Sequence, residues 1–283
     1  MDLLTYYYQN RPSNDFSIPR KCTFSNDSKI NLYGPRGSGK STLALEYMLN
    51  FDKKNTLYID FDDPNLIFEE ILEAKLREFV LKNGIELLVC DHCREMPHWN
   101  FDFVNQAILI SRKKLSPLWS GIKLGMLDYE EFLGSEHTIS QSNGFSHFFK
   151  SGGIPAMAKN QKTHTSIIKN FLQSRFSDQE IRLLGLIARH NTKHITINQL
   201  YAFAKKEFKI SKDWLYSKID SFVDEGVVLF FNDISQKGGK KILLYDIALA
   251  RYLTAFQPFV VYFDTLIGLH LSLIHISEPT RPY

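Results

Sequence analysis

Residues Gly34-Pro35-Arg36-Gly37-Ser38-Gly39-Lys40-Ser41-Thr42 carry the clearest chemistry in the chain. They fit the spacing G-x-x-x-x-G-K-[ST], with Gly34, Gly39, Lys40 and Ser41 at the fixed positions. Glycines let backbone N–H groups crowd around an anion. A lysine at this spacing reaches the β- and γ-phosphates of a nucleoside triphosphate, and the following hydroxyl takes a place on Mg²⁺. ATP and Mg²⁺ are therefore the expected ligands, with Gly34 to Thr42 on the phosphates and Ser41 on the metal.

Such a loop works only between a strand and a helix N-terminus. Lys29-Ile30-Asn31-Leu32-Tyr33 reads as the strand, and Ser41 to Asn50 as the helix. Asn55 to Phe61 is a second buried strand, ending in Asp62-Asp63-Pro64. Residues 65–82 carry apolar side chains at helical spacing, and Asn83-Gly84 stops that helix. Ile85-Glu86-Leu87-Leu88-Val89-Cys90-Asp91 is a third strand, an apolar run ending in an acid, as in a strand buried within a parallel sheet. Asp91 would then hold Mg²⁺ directly or through water. Ala107 to Ser111 is a fourth strand. Ser111 would touch the γ-phosphate or an attacking water, or else cap the next turn. Strands alternating with helices predict an α/β parallel sheet.

The chain resembles the AAA-superfamily ATPases of bacteria and archaea, relatives of the STAND-type ATPases. The resemblance rests on the loop above, Tyr58-Ile59-Asp60-Phe61-Asp62-Asp63-Pro64, the strand ending in Asp91, and Met96-Pro97-His98-Trp99. It continues through Glu131-Phe132-Leu133-Gly134 and Gly152-Gly153-Ile154-Pro155. It implies an AAA-type ATP-binding core, a winged helix and a nuclease-like C-terminal domain. Two departures matter. The family follows its strand-end Asp with a Glu that polarises the attacking water; His92 stands there. The family's Gly-Arg pair aligns with Gly121-Ile122, with Lys123 next. Losing such a group costs on the order of 10³-fold or more in rate. The expectation is a nucleotide switch with weak or lost hydrolysis. The alternatives are an active ATPase in which His92, Asp62 or Asp63 replaces the Glu, and a DNA-binding regulator.

Cys90 and Cys93 form a C-x-x-C with no second pair, so a metal set is incomplete. Cys90 reads as a strand residue and Cys93 as part of the following loop. Residues 1–27 read as a lead-in segment, with a short helix at Tyr6-Tyr7-Tyr8. Residues 28–160 form the ATP-binding domain, of which 112–160 look irregular. Residues 161–250 read as an α-rich winged helix: helices at 165–175, after the capping box Ser177…Glu180, at 197–208 and after Ser211, then a hairpin. Its turn, Lys237-Gly238-Gly239-Lys240, is basic. Residues 161–245 hold 14 Lys/Arg against 8 Asp/Glu, a net +6. Lys212 and Lys218 on the fourth helix would meet DNA phosphates, while Asp213, Asp220, Asp224 and Glu225 would repel them. A protein partner or a homo-oligomer also fits. Residues 251–270 read as the start of a truncated region and 271–283 as a non-native tail.

Composition is that of an ordinary globular protein: 283 residues, 44% hydrophobic, 23% charged, net charge +3. No signal peptide or run of about 18 apolar residues is present, so no membrane span is expected. Three cysteines make no disulfide framework. A reduced, cytoplasmic setting follows most simply.

Overall fold

The computed structural model describes residues 2–13, 18–68, 70–135, 141–158, 164–231, 239–254 and 257–277. The chain forms two compact units. One comprises residues 1–34 and 39–124, the other residues 35–38 and 125–283.

The first unit contains α1 (Leu3–Gln9), β1 (Lys29–Tyr33), α2 (Lys40–Tyr47), β2 (Thr56–Asp60), α3 (Glu73–Asn83), β3 (Leu87–Cys93), β4 (Gln106–Ser111) and β5 (Ser120–Lys123). The five strands form one parallel sheet in the order β2-β3-β4-β1-β5. Both faces are apolar. Ile30, Leu32, Val89 and Ile108 pack toward α2, whereas Leu57, Ile59, Leu88 and Leu109 pack with α1 and α3. This explains the uninterrupted apolar runs: a parallel strand covered on both sides has no polar face to show. This is the expected α/β P-loop fold.

Some elements differ from the sequence expectation. The helix predicted over 65–82 begins only at Glu73. Asp63 caps a short 3₁₀ turn at Pro64–Ile67 by accepting the Asn65 N–H, and Leu72 is extended. Gly84 ends α3 at φ 63°, a left-handed cap that glycine adopts without strain. Residues 112–160 are more regular than expected, supplying β5 and three helices. β5 was hidden because Ser120-Gly121-Ile122-Lys123 is short and only half-buried.

The second unit adds α4 (Tyr129–Gly134), α5 (Gln141–Ser151), α6 (Pro155–Ala158), α7 (His164–Arg175), α8 (Asp178–Arg189), β6 (His194–Ile195), α9 (Ile197–Glu207), α10 (Lys212–Asp224), β7 (Val228–Phe231), β8 (Lys240–Leu244), α11 (Ile247–Leu253) and α12 (Phe259–Ser277). The last three strands form an antiparallel sheet in the order β6-β8-β7. Leu184, Ile187, Leu200, Leu215, Ile219 and Phe222 meet Ile242 and Leu244 in one core. Ser177 opens α8 with the expected capping box, and Ser211 caps α10. Asp246 caps α11 and accepts the Gly153 N–H (2.8 Å), which gives the Gly152-Gly153-Ile154-Pro155 element a structural task. The compact units divide at Leu124–Gly125, ahead of the boundary expected near 160. In α12, buried Thr265 accepts from Asn191 at 2.6 Å. Lys237 and Gly238 of the basic turn lie outside the described residues, as do 278–283 of the expected tail.

Candidate functional site

The expected phosphate loop joins β1 to α2. Gly34 rests on the backbone of β5's end, where a Cβ would stand 2.1 Å from the Leu124 carbonyl oxygen; no other residue fits. Gly39 sits at φ 92° as N-cap of α2, and no side chain caps that helix. The first turn of a helix leaves amides without intrahelical acceptors, so an uncapped start following glycines is an anion cradle. Lys40 opens α2 and donates from Nζ to the Gly34 carbonyl (2.9 Å), folding back over its own loop.

Ser41, on the first turn of α2, faces the ends of β2 and β3. It acts electrostatically on Tyr58, whose hydroxyl donates to Asp91 Oδ2 at 2.5 Å. Burial and the Asp91 charge push the Tyr58 phenol far above its ordinary value, so it stays a donor. Asp91 is fully buried. Its Oδ1 accepts the His92 N–H at 2.6 Å. Thus Tyr58 is a shared neighbour of Ser41 and Asp91, the two residues expected on Mg²⁺. The donor set suits a hard cation that prefers oxygen, but Asp91 Oδ2 already accepts the Tyr58 hydroxyl. A metal at Asp91 Oδ2 would compete with the Tyr58 hydroxyl. Among the described residues, no cluster of three or more His, Cys, Asp or Glu could hold a metal.

His92 has φ 57°, rare for a residue with a side chain. A bulge causes this: Cys90 pairs with Leu109 and Cys93 with Ser111, so β3 has one residue more than β4 across that interval. Cys93 is therefore a buried strand residue, not a loop residue, and its thiol donates to the Cys90 carbonyl (3.4 Å). Both cysteines are free, and burial raises both thiols well above the ordinary range. His92 Nδ1 lies 2.7 Å from Asp60 Oδ1. That hydrogen bond raises the His92 pKa, outweighing burial. At Asp60, burial is more than offset by the bonds from His92 and the Asp62 N–H, so its pKa is lowered. Of the two other acids considered, Asp62 pairs with Arg94 (2.9 Å) and Asp63 accepts from Tyr7 (3.0 Å).

Ser111 is buried at the end of β4. Its hydroxyl donates to the Lys113 carbonyl (2.6 Å) and accepts from Asn31 Nδ2 (2.9 Å), the turn-capping geometry. Lys123, at the end of β5, is lowered by burial and has no ion-pair partner among the described residues.

Pro35, Arg36, Gly37 and Ser38 belong to the second unit. Arg36 is buried there. Its Nε donates to Glu225 Oε2 (3.0 Å), Nη2 lies 3.5 Å from Glu180 Oε1, and the guanidinium sits 4.6 Å from the Phe176 ring centroid. It also donates to the Arg175 carbonyl. Lys218 completes the group at 3.0 Å from Glu180, so it is not turned outward for nucleic acid. Burial alone would raise Glu180; the Ser177 N–H, Lys218 and Arg36 reverse this. Gly37, at φ 83°, brings its backbone against the Phe171 ring, where a Cβ would stand 2.4 Å away.

Sequence reasoning missed Tyr58, Asp60 and the acid partners of Arg36. Alternation on β2 puts Tyr58 and Asp60 on one face, but only the pairing Asp60↔Asp91 shows what that face meets.

Residues 26–131 match the family model of an AAA domain. No curated protein sequence matches the chain. Among solved structures, the chain is similar to a Walker-type ATPase of Pyrococcus abyssi: 13% identity, TM-score 0.51, covering 80% of this chain and 90% of that one. A weaker likeness, at TM-score 0.35 and 12% identity, is to the Orc1 protein of Aeropyrum pernix in complex with DNA, covering 84% of this chain and 89% of that one. The AAA domain therefore has the P-loop ATPase fold. No described helix is long and apolar enough to cross a membrane.

Proposed function

We propose that the chain is an ATP-binding switch of AAA type with slow or absent turnover. The carrying observation is the uncapped start of α2 behind its glycines, with Lys40 over the loop and Ser41 directed toward Asp91. In this reading the backbone of Gly34 to Thr42 and the Lys40 ammonium hold the phosphates. Ser41 and Asp91 would hold magnesium, which when bound neutralises charge on the phosphate oxygens. No Glu follows Asp91, and the bulge sets position 92 in a left-handed conformation rather than along the extended strand. That supports weak hydrolysis. We further read helices α8 to α10 with strands β6 to β8 as a winged helix that nucleotide repositions.

An active ATPase is the second reading. His92 with Asp60 behind it has the form of an oriented base, which favours that reading over Asp62 or Asp63. DNA binding through the winged helix keeps Lys212 but loses Lys218 to Glu180. The test is equilibrium binding of a fluorescent ATP analogue to wild type and Lys40→Ala. We expect binding that Lys40→Ala weakens at least tenfold, about 1.4 kcal/mol. Equal affinity in both proteins would refute a phosphate site at this loop.

A further inference from the structure

The place between Ser41 and Asp91 is taken. Tyr58 is buried, its ring lies in the apolar layer beneath α2, and its hydroxyl reaches both residues that would share a divalent cation. The Tyr58 hydroxyl donates to Asp91 Oδ2 at 2.5 Å. The other Asp91 oxygen already accepts the His92 N–H. Both Asp91 oxygens therefore already accept a hydrogen bond while Tyr58 is seated, and a cation at Oδ2 would have to compete with the Tyr58 hydroxyl. A phenylalanine would fill the same apolar layer, so the hydroxyl's distinctive contribution is its contact with Asp91 and Ser41.

We propose that Tyr58 is a positioning residue that holds Asp91 away from magnesium, so that the resting chain takes the triphosphate through Lys40 and the loop amides alone. Asp91 becomes available only after the Tyr58 hydroxyl leaves it. This deepens the switch reading and rests on it: a chain that takes nucleotide before metal holds it unreacted, because turnover needs both.

The experiment is binding of the same fluorescent ATP analogue in EDTA and in excess Mg²⁺, for wild type and Tyr58→Phe, with circular dichroism to check folding. In wild type the two dissociation constants should agree within about threefold, whereas Mg²⁺ should tighten binding to Tyr58→Phe about tenfold or more, a gain of at least 1.4 kcal/mol. A wild type that already gains tenfold on adding Mg²⁺ would overturn the proposal, as would a Tyr58→Phe protein whose Mg²⁺ gain is no larger than wild type's. Should Tyr58→Phe fail to fold, the wild-type pair decides alone. Absence of nucleotide binding in both solutions is a different result: it removes the phosphate site itself, and this proposal with it.

Discussion

Two buried groups of charges, one around Arg36 and one around Asp91, are built on opposite terms. Around Arg36, two carboxylates face two cations: Glu180 and Glu225 against Arg36 and Lys218. Every charge has an opposite within ion-pair distance, and the aromatic face of Phe176 completes the enclosure. Around Asp91 the donors are neutral: the Tyr58 hydroxyl and a backbone N–H, with the His92 ring nitrogen no closer than 3.9 Å. The first group is closed and holds structure together. The second leaves a buried carboxylate without a full counter-charge, which fits the cation role we propose for Asp91. Burial alone does not distinguish structural from functional charge; the balance of charge does.

The largest effect is expected at Arg36. Arg36→Ala leaves buried Glu225 without its cation and Glu180 with Lys218 alone, and loss of one partner from such a group costs about 3–5 kcal/mol. Urea or thermal unfolding should show a loss of that size; a loss under about 1 kcal/mol would mean the group is not closed by charge. Asp91→Asn should behave differently. Its carboxamide can still accept one bond, and removing an uncompensated buried charge should change nucleotide-free stability by no more than about 1 kcal/mol in either direction. A large loss in the same melt would place Asp91 among the structural charges.

Asp60→Asn tests the edge of the second group. Asp60 raises the His92 pKa, so in the variant the His92 midpoint, followed by NMR, should fall toward the ordinary histidine value near 6.5. The sign in stability follows. His92 contributes fully below about 6.5 and loses its contribution as pH rises through its raised value; Asp60 contributes above about 3.9 and loses its share as pH falls through its lowered value. The stability difference between wild type and variant should therefore be greatest between those limits and shrink on either side. A difference that does not vary with pH would mean the two side chains are uncoupled. The smallest effect is expected at Tyr245, whose buried hydroxyl has no hydrogen-bond partner among the described residues although Arg36, Arg175 and Glu225 act on it. Tyr245→Phe should be neutral or stabilise by up to about 1 kcal/mol. A loss beyond that would show that the hydroxyl has a role in closing the group.

The phosphate loop and four of the five strands were legible because local rules fix them: glycine spacing, apolar runs, and polar residues at strand ends. The capping box at Ser177…Glu180 was legible for the same reason. A similar box at Asp128…Glu131 starts α4 and was passed over, although its signal is present in sequence. β5 carries a single large apolar residue, Ile122, and gave no period to read. The rest is non-local. That Tyr58 meets Asp91 depends on which strands are neighbours, and that Arg36 meets Glu180 and Glu225 depends on contacts across more than a hundred residues. No spacing rule reports either one. The bulge that turns His92 aside is likewise visible only in the register of β3 on β4.

The most direct measurement is ATP turnover beside ATP binding, on wild type, Lys40→Ala and Asp60→Asn. The account predicts wild-type binding that Lys40→Ala weakens, with turnover well below the 1–10³ per second of typical enzymes, under about one per minute. Several turnovers per minute in wild type, abolished by Lys40→Ala and reduced by Asp60→Asn, would contradict it and make the His92–Asp60 pair part of a working ATPase.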